Sequence, residues 1–242
     1  MNSVDVIIIS WSKDEDLLQV TKRGLDTLFK SSKGTVVFNA IIVESNPDIN
    51  WDDFGDNYKP HTCKTIRPKG EFNYNGYLNQ GIAEGNSEYV VLCNSDLTYE
   101  PGWAEEIINV MKLYPEFKSA SPWCPQLHGD NTSHIGKVYV GHEVRKEFCG
   151  WCIFQKRSLY DIIGKLNTGV NFWFSDNILA DELRLREIDH ILVPTSVVNH
   201  HDKTIGKTAQ TLSSEKQWAY TSAQYEQYVK AHTELLKKLN KL

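Results

Sequence analysis

One carboxylate, Asp96, stands where an apolar strand is predicted to end, and this position suits metal or phosphate chemistry. The uninterrupted apolar run at residues 89–93 is typical of a strand buried on both faces of a parallel sheet. At the carboxyl end of such a strand, an aspartate can hold a hard divalent cation beside a diphosphate. A plain turn at residues 94–96 (Asn-Ser-Asp) explains the same residues equally well.

The cysteines offer a second chemistry, because Cys149 and Cys152 have the CxxC spacing of zinc and redox sites. No second CxxC accompanies this pair, and it does not open a predicted helix as a redox pair would. The five cysteines are an odd number, and two of them fall in apolar, strand-like runs. These observations favour reduced, buried thiols over a zinc or redox site.

Length and charge limit the partners and the location. The chain has 242 residues and a formal net charge of −5, which argues against a large polyanionic partner unless a local basic patch exists. No run reaches the roughly 18 apolar residues of a membrane span. No basic, cleavable leader precedes the first strand, so we expect a cytoplasmic protein with no transmembrane segment.

Strand and helix patterns alternate along the chain and predict the scaffold that positions these residues. A β-branched strand at residues 4–9 is followed by an apolar helical pattern, for which Ser12 and Glu15 form a capping box. Ser175 is a comparable N-cap for a helix that ends near residue 187. Further strands are predicted at 36–43, 65–66, 118–122, 151–154, 190–194 and 196–199, and further helices at 72–83, 101–113, 158–163 and 214–242. The alternation predicts an α/β protein with three α/β/α layers and a mostly parallel central sheet.

Several motifs, in this order and at these separations, resemble the GT-A fold of inverting family 2 glycosyltransferases over roughly residues 4–205. The motifs are residues 6–11, 41–46, 79–82, 89–96, 150–157, 174–176 and 193–200. The resemblance implies a GT-A domain at residues 1–210, with a nucleotide-sugar-binding half at 1–122 and an acceptor and catalytic half at 123–210. An amphipathic C-terminal helix at 211–242 would follow it.

The resemblance implies a metal site at the end of the central strand. In this family a DxD motif binds Mn²⁺ or Mg²⁺ together with the diphosphate of the sugar nucleotide. Here Asn94, Ser95 and Asp96 occupy the motif, so an amide replaces its first carboxylate and one anionic ligand is lost. Asp96 is the expected metal ligand, and His200 matches the family's histidine after a valine-rich strand.

The family also holds the nucleotide at the ends of the first two strands. Ser10, Trp11 and Glu44 fall there, so Trp11 could stack on the base and Glu44 could accept a base N–H or a ribose hydroxyl. Asn79, on the helix before the central strand, is a candidate for the diphosphate side. Each of these residues could equally support the fold.

The catalytic base and the acceptor side fall in the second half. In the family, an aspartate precedes a strand and a proline at a fixed interval, and counting back from Pro194 reaches Asp176. Ser175 replaces the customary glutamate before it. Asp181 and Glu182 are rival carboxylates on the same predicted helix. Trp151 and Asp181 are assigned to the acceptor side.

The function implied is metal-dependent, inverting transfer of a sugar from a UDP-, GDP- or dTDP-type donor to a hydroxyl of a glycan or another acceptor. Two other functions stay open. The replacements at Asn94 and Ser175 are compatible with a catalytically silent sugar- or nucleotide-binding module. A nucleic acid acceptor is also possible, in which a modified DNA base is glycosylated through the Lys- and His-rich residues 126–146.

Overall fold

The structure is a computed structural model that describes residues 1–201 and 214–237. Its strands are β1 Asn2–Ser10, β2 Val36–Glu44, β3 Thr62–Ile66, β4 Tyr89–Asn94, β5 Leu97–Tyr99, β6 Ser119–Trp123, β7 Tyr139–Val140, β8 Cys152–Lys156 and β9 His190–His200. Its α-helices are α1 Glu15–Lys30, α2 Tyr74–Glu84, α3 Trp103–Leu113, α4 Pro125–His128, α5 Tyr160–Ile163, α6 Ser175–Leu185, α7 Ser214–Ala231 and α8 Thr233–Lys237. Short 3-10 helices span Asp52–Tyr58, Thr132–His134 and Arg157–Leu159.

The strands form one sheet in the order β3-β2-β1-β4-β8-β6-β9-β5, with β7 paired to β9. β1, β2, β3, β4, β6 and β9 run in one direction, whereas β5, β7 and β8 run in the other. The predicted mostly parallel sheet is therefore confirmed. Because β8 runs against its neighbours, the residues that precede it lie at the same edge as the carboxyl ends of β4 and β9.

Helices cover both faces of the sheet and give the expected three layers. Side chains alternate between the faces of β1, so that Val6 and Ile8 pack with α1 and α3, whereas Ile7 packs with α2 and α6. Leu25 of α1 and Leu183 of α6 are fully buried and pack against opposite faces of the sheet. The α/β fold class is confirmed.

Two helix starts differ from their sequence predictions. Asp14, not Ser12, caps α1, because the Asp14 side chain accepts a hydrogen bond from the backbone N–H of Leu17. Phe174, not Ser175, is the N-cap of α6, and Ser175 is the first helical residue. The predicted capping box and the predicted serine cap were therefore wrong.

Several element bounds also differ. The strands predicted at 190–194 and 196–199 are one strand, β9, whose register with β6 shifts after Pro122. The short strand β5 was not predicted. His232 separates α7 from α8, so the C-terminal helix is broken. The predicted boundary at 210/211 and the predicted helical residues 238–242 lie outside the described residues.

A helix that spans a lipid bilayer needs about 20 predominantly apolar residues. Within residues 1–201 and 214–237, no helix combines the length and the apolar character needed to span a membrane.

Candidate active site

A cavity of about 360 Å³ lies at the sheet edge where β4 and β9 end and β8 begins. Asn94 ends β4, Trp151 precedes β8, and His200 ends β9, and all three line the cavity together with Asp176 of α6. The other lining residues are Tyr74, Cys124, Gln126, Leu127, Arg145, Gly150, Phe172, Trp173, Phe174 and Ser175. The structure therefore brings together four residues that the sequence predicted for the site.

Asp96 and His200 form the second predicted grouping, at the end of the central strand. The Nε2 atom of His200 lies 3.4 Å from Oδ1 of Asp96, and both side chains are buried. Antiparallel pairing places Leu97 of β5 opposite His200 of β9, which brings the preceding residue, Asp96, beside the imidazole. The adjacent backbone N–H of His201 donates to the Asp96 carbonyl at 3.1 Å.

Close packing of α1 holds the turn between β4 and β5. A Cβ on Gly24 would lie only 3.1 Å from the carbonyl oxygen of Ser95 and 3.2 Å from that of Leu97. A larger residue at position 24 would therefore push the helix away from the turn that carries Asp96. Ser95 is half-buried, and neither Ser95 nor Asp96 is among the residues that line the cavity.

Trp151 orients the His200 imidazole. Their rings stack with centroids 4.9 Å apart and planes 5° apart. The backbone carbonyl of Trp151 accepts a hydrogen bond from the N–H of Asn94, which ties the start of β8 to the end of β4. The Nε1 atom of Trp151 is buried and has no hydrogen-bond partner among the described residues.

Asp176 lies in the first turn of α6, with its carboxylate against the Gly150 backbone. A Cβ on Gly150 would overlap that carboxylate, so only glycine permits this approach. The backbone N–H of Asn177 donates to Oδ1 of Asp176 at 3.0 Å. Burial raises the pKa of Asp176, and hydrogen bonds from backbone N–H groups and the charge of Arg145 oppose this rise. A carboxylate with a raised pKa is a better proton acceptor than an ordinary one.

Phe174, two residues before Asp176, has a left-handed backbone conformation with φ of 68°. Such a conformation is costly for a bulky residue and persists only where the surroundings enforce it. Its ring stacks on Tyr225 of α7 at 4.8 Å and also lies 4.8 Å from Trp218 of the same helix. The C-terminal helix therefore supports the segment that carries Asp176.

Sequence reasoning missed Tyr74 and Arg145. The hydroxyl of Tyr74 donates to Oδ1 of Asn94 at 2.8 Å, which orients the Asn94 amide. Burial raises the pKa of Tyr74, with smaller contributions that include the charges of Asp176 and Asp96. The pattern around Tyr74 indicates only a helix, so no sequence signal identifies this contact.

Arg145 lines the cavity from a tight turn in the Lys- and His-rich segment 126–146. Its φ is 67°, and its backbone N–H donates to the carbonyl of Phe148 at 3.0 Å. Arg145 is the one arginine or lysine among the described residues that line the cavity. Its positive charge lowers the pKa of Asp176, which lines the same cavity.

The structure places Glu44 in a supporting role. Its carboxylate is fully buried and accepts hydrogen bonds from the backbone and hydroxyl of Ser12, the backbone of Asn46 and the indole of Trp51. Ser10 is also buried, and its hydroxyl lies 3.1 Å from that of Ser12. Protein groups already form hydrogen bonds with both side chains. The predicted nucleotide contacts of Ser10 and Glu44 stay predictions.

Asn79, Asp181 and Trp11 also lie outside the cavity lining. Asn79 makes two hydrogen bonds to the backbone of Leu166, one to its carbonyl and one from its N–H. Asp181 is fully buried and accepts a hydrogen bond from the hydroxyl of Tyr225 at 3.3 Å, which argues against direct contact with an acceptor. Trp11 is half-buried, with the Lys13 ammonium 4.9 Å from its ring centre.

The CxxC pair has no metal or redox geometry in the described residues. All five cysteines are free, and the Cys152 thiol lies 3.9 Å from that of Cys93 in the core. Burial raises the pKa of both Cys149 and Cys152, which keeps these thiols protonated and unreactive.

The sequence matches the model of one protein family, described as glycosyl transferase family 2, over residues 6–126, which is half of the chain. The matched region includes Asp96 but neither Asp176 nor His200. No curated protein is significantly similar in sequence.

Many solved structures are similar in fold, GalNAc-T7 and S. aureus TarS among them. The crystal structure of GalNAc-T7 with UDP, GalNAc and Mn²⁺ superposes with a TM-score of 0.64 at 12% identity, covering 90% of this chain and 47% of that one. The crystal structure of S. aureus TarS 1-349 gives a TM-score of 0.61 at 10% identity, covering 83% of this chain and 60% of that one. The chain thus spans between about half and three fifths of these neighbours. At such identities the likeness shows the fold alone.

Proposed function

The chain belongs to the family 2 glycosyltransferases, and from that premise we propose that it moves a sugar from a nucleoside-diphosphate sugar to an acceptor hydroxyl with inversion. The observation that carries this proposal is the joint placement of Asp176, Asn94 and His200 on one cavity. A base and a diphosphate-side group must face the same bound substrate for a single displacement. Residues far apart in the sequence meet this requirement here.

Asp176 is proposed as the general base. The carboxylate borders the cavity, and its raised pKa suits it to take a proton from the acceptor hydroxyl as that hydroxyl attacks the anomeric carbon. Gly150 leaves room for the carboxylate, and the Asn177 N–H fixes one of its oxygens.

Asp96 and His200 are proposed to hold the divalent cation. Their approach to 3.4 Å, with one carboxylate and one imidazole, fits Mn²⁺ better than Mg²⁺, which prefers oxygen ligands; substrate phosphate oxygens and water would complete the coordination of either ion. When bound, the ion neutralises the charge of the departing nucleoside diphosphate. The Trp151 ring keeps the imidazole aligned with Asp96, and the Tyr74 hydroxyl keeps the Asn94 amide turned toward the cavity.

The proposed donor is a UDP-sugar. GalNAc-T7, the similar structure named above, contains UDP and Mn²⁺. The predicted base-binding residues Ser10 and Trp11 do not line the described cavity, so the cavity does not select among nucleotide bases. The proposal therefore includes GDP- and dTDP-type donors. Arg145 is placed to contact an anionic part of the donor, since it is the one arginine or lysine of the described lining.

A thermal-shift panel tests the donor and the metal together. UDP-, GDP-, CMP- and dTDP-sugars are added with and without Mn²⁺, and Asp96→Ala is compared with the wild type. A donor at about a hundred times its Kd adds roughly 2.7 kcal/mol, which raises the Tm of a chain of this size by about 5–11 °C. We expect this rise for one donor, only with metal, and its loss in Asp96→Ala. An equal rise without metal would refute the metal site, and no rise with any donor would refute nucleotide-sugar binding.

A further inference from the structure

An aromatic surface joins the cavity to the C-terminal helix α7. Trp173 and Phe174 line the cavity, and Trp218 of α7 lies against both, with ring centres 5.6 Å and 4.8 Å away. Phe172, also in the lining, lies 4.9 Å from Trp173. Trp218 is 49% exposed, so the aromatic surface continues from the cavity toward solvent. We call these four residues the aromatic wall.

The aromatic wall also carries a hydrogen-bond donor that lacks a protein acceptor. The Nε1 atom of Trp173 is buried and has no hydrogen-bond partner within the described ranges, and the same holds for Trp151 on the cavity lining. Buried indole N–H groups nearly always have an acceptor. Both residues line the cavity, but their Nε1 atoms are buried beneath its surface, so the lining offers a ligand the apolar parts of these indole rings.

We propose that the aromatic wall is the acceptor subsite, and that Trp173 and Trp218 stack against a neutral saccharide ring whose hydroxyl is presented to Asp176. This inference rests on the transferase function proposed above and adds to it the class of the acceptor. A saccharide ring combines a face of C–H groups, which packs on indole rings, with hydroxyl groups, one of which would face Asp176.

Charge favours a neutral saccharide over a nucleic acid. Binding a nucleic acid strand requires several cations along its phosphates. Within the described lining, Arg145 is the one arginine or lysine, and Asp176 adds a carboxylate. The whole chain has a formal net charge of −5. A flipped base could stack on the same rings, so a nucleic acid is tested as the competing acceptor.

The placement of α7 gives the helix a role in substrate binding as well as in packing. Its buried residues Tyr228 and Thr221 fix it to the domain, and Tyr228 packs with Val170 and Ile178. Trp218 lies about one turn before Thr221, and its ring packs against Phe174 in the segment that precedes Asp176. The helix lies outside the region matched by the family model, residues 6–126, as do Asp176 and His200.

Fluorine NMR of protein labelled with 5-fluorotryptophan tests the proposal without requiring turnover. The chain has seven tryptophans, and Trp173→Phe and Trp218→Phe assign the two resonances of interest. The probes are methyl glycosides of glucose, galactose, N-acetylglucosamine and N-acetylgalactosamine, together with maltose and cellobiose. We expect at least one saccharide to shift both resonances while Trp103, which is buried in the core, does not move. No shift of either resonance with any of these sugars would overturn the proposal.

A single-stranded oligodeoxynucleotide provides the competing result. If it shifts Trp173 and Trp218, and salt removes the effect, the acceptor is a nucleic acid and the saccharide proposal is overturned. UDP with Mg²⁺ is titrated separately and reports on the donor site. A response to UDP without any response to saccharides would therefore contradict this inference and leave the transferase function standing.

Kinetics with the best-binding saccharide give a second test. Trp218→Ala is expected to raise the acceptor KM about three- to tenfold, the size of one lost aromatic stacking contact. Tyr220→Ala is the matched control, because Tyr220 is 52% exposed on the same helix and has no ring contact among the described residues. Equal KM values for Trp218→Ala and Tyr220→Ala would overturn the role of Trp218.

Discussion

Replacing Glu44 by alanine is expected to destabilise the protein strongly, because this carboxylate ties together the ends of β1 and β2. It accepts hydrogen bonds from the Ser12 N–H at 3.0 Å, the Ser12 hydroxyl at 2.9 Å, the Asn46 N–H at 2.9 Å and the Trp51 indole at 3.1 Å. Glu44 is fully buried, so water does not replace the lost acceptor without rearrangement.

The size of the effect follows from the number and type of these bonds. A hydrogen bond to a charged group contributes about 1.5–3 kcal/mol, but donors that share one carboxylate are not additive. Removing one partner of a buried charged network typically costs about 3–5 kcal/mol in the free energy of unfolding. A loss of about 4 kcal/mol lowers the Tm of a chain of this length by roughly 8–16 °C.

Urea unfolding of Glu44→Ala, Glu44→Gln and Glu84→Ala measures this cost. Glutamine keeps one acceptor oxygen but turns an NH₂ group toward the other donors, so its effect should be intermediate. Glu84 pairs with Lys64 on the surface, and its removal should leave the unfolding midpoint close to that of the wild type. The reasoning is refuted if Glu44→Ala changes stability no more than Glu84→Ala does. Loss of nucleotide binding at unchanged stability would instead support the sequence-based assignment of Glu44 to the base or ribose.

Two further predictions follow from the site. Asn79→Ala leaves two backbone groups of Leu166 unpaired, so it should lower the free energy of unfolding by about 2 kcal/mol. Urea unfolding measures this loss, and the donor affinity should stay unchanged. Weaker donor binding at unchanged stability would contradict the prediction. Burial raises the pKa of Asp176, and the charge of Arg145 lowers it, so Arg145→Met should raise this pKa further. Because the base acts when deprotonated, the acid limb of the pH–rate profile should then move to higher pH. Lys146→Met, at the exposed neighbouring position, is the control and should leave the acid limb in place; an unmoved limb in Arg145→Met would show that Arg145 does not act on the base.

The alternation of strands and helices could be predicted because local patterns determined it. The apolar run before Asp96 is a strand buried on both faces, and the spacing of Leu25 and its neighbours gives a helix packed on the sheet. The position of Asp96 at a strand end, and its proximity to His200, also followed from pattern and resemblance. The strand, the helix and the position of Asp96 were predictable because they depend on neighbouring residues in the sequence or on the register of the sheet.

Contacts between distant residues explain most of the errors. Ser12 looks like a helix cap by sequence, but the Glu44 carboxylate binds its hydroxyl and backbone, so Asp14 caps the helix instead. Ser175 loses the cap position because Phe174 takes a left-handed conformation, supported by rings of α7 some 50 residues later. A local sequence pattern does not show which distant hydrogen-bond partner competes for a side chain.

The cavity itself was the least predictable feature. Tyr74 and Arg145 reach it from a helix and from an irregular segment, and neither has a motif around it. Asn79 and Asp181 were predicted for the site by resemblance, and their substrate contacts stay predictions; each bonds to a protein group, and neither lines the cavity. Side-chain direction, not position along the chain, decides which residues a substrate can reach.

The most direct test of the central claim compares Asp176→Asn with the wild type in binding and in turnover. The Kd of the donor identified in the thermal-shift panel is measured by calorimetry, and the rate of donor cleavage is measured in the same buffer. Loss of the base should slow turnover about 10²- to 10⁴-fold, with the donor Kd close to that of the wild type. Asp161→Asn, at an exposed position on α5, should match the wild type in both measurements. An undiminished rate in Asp176→Asn would contradict the assignment of the catalytic base and the mechanism that depends on it.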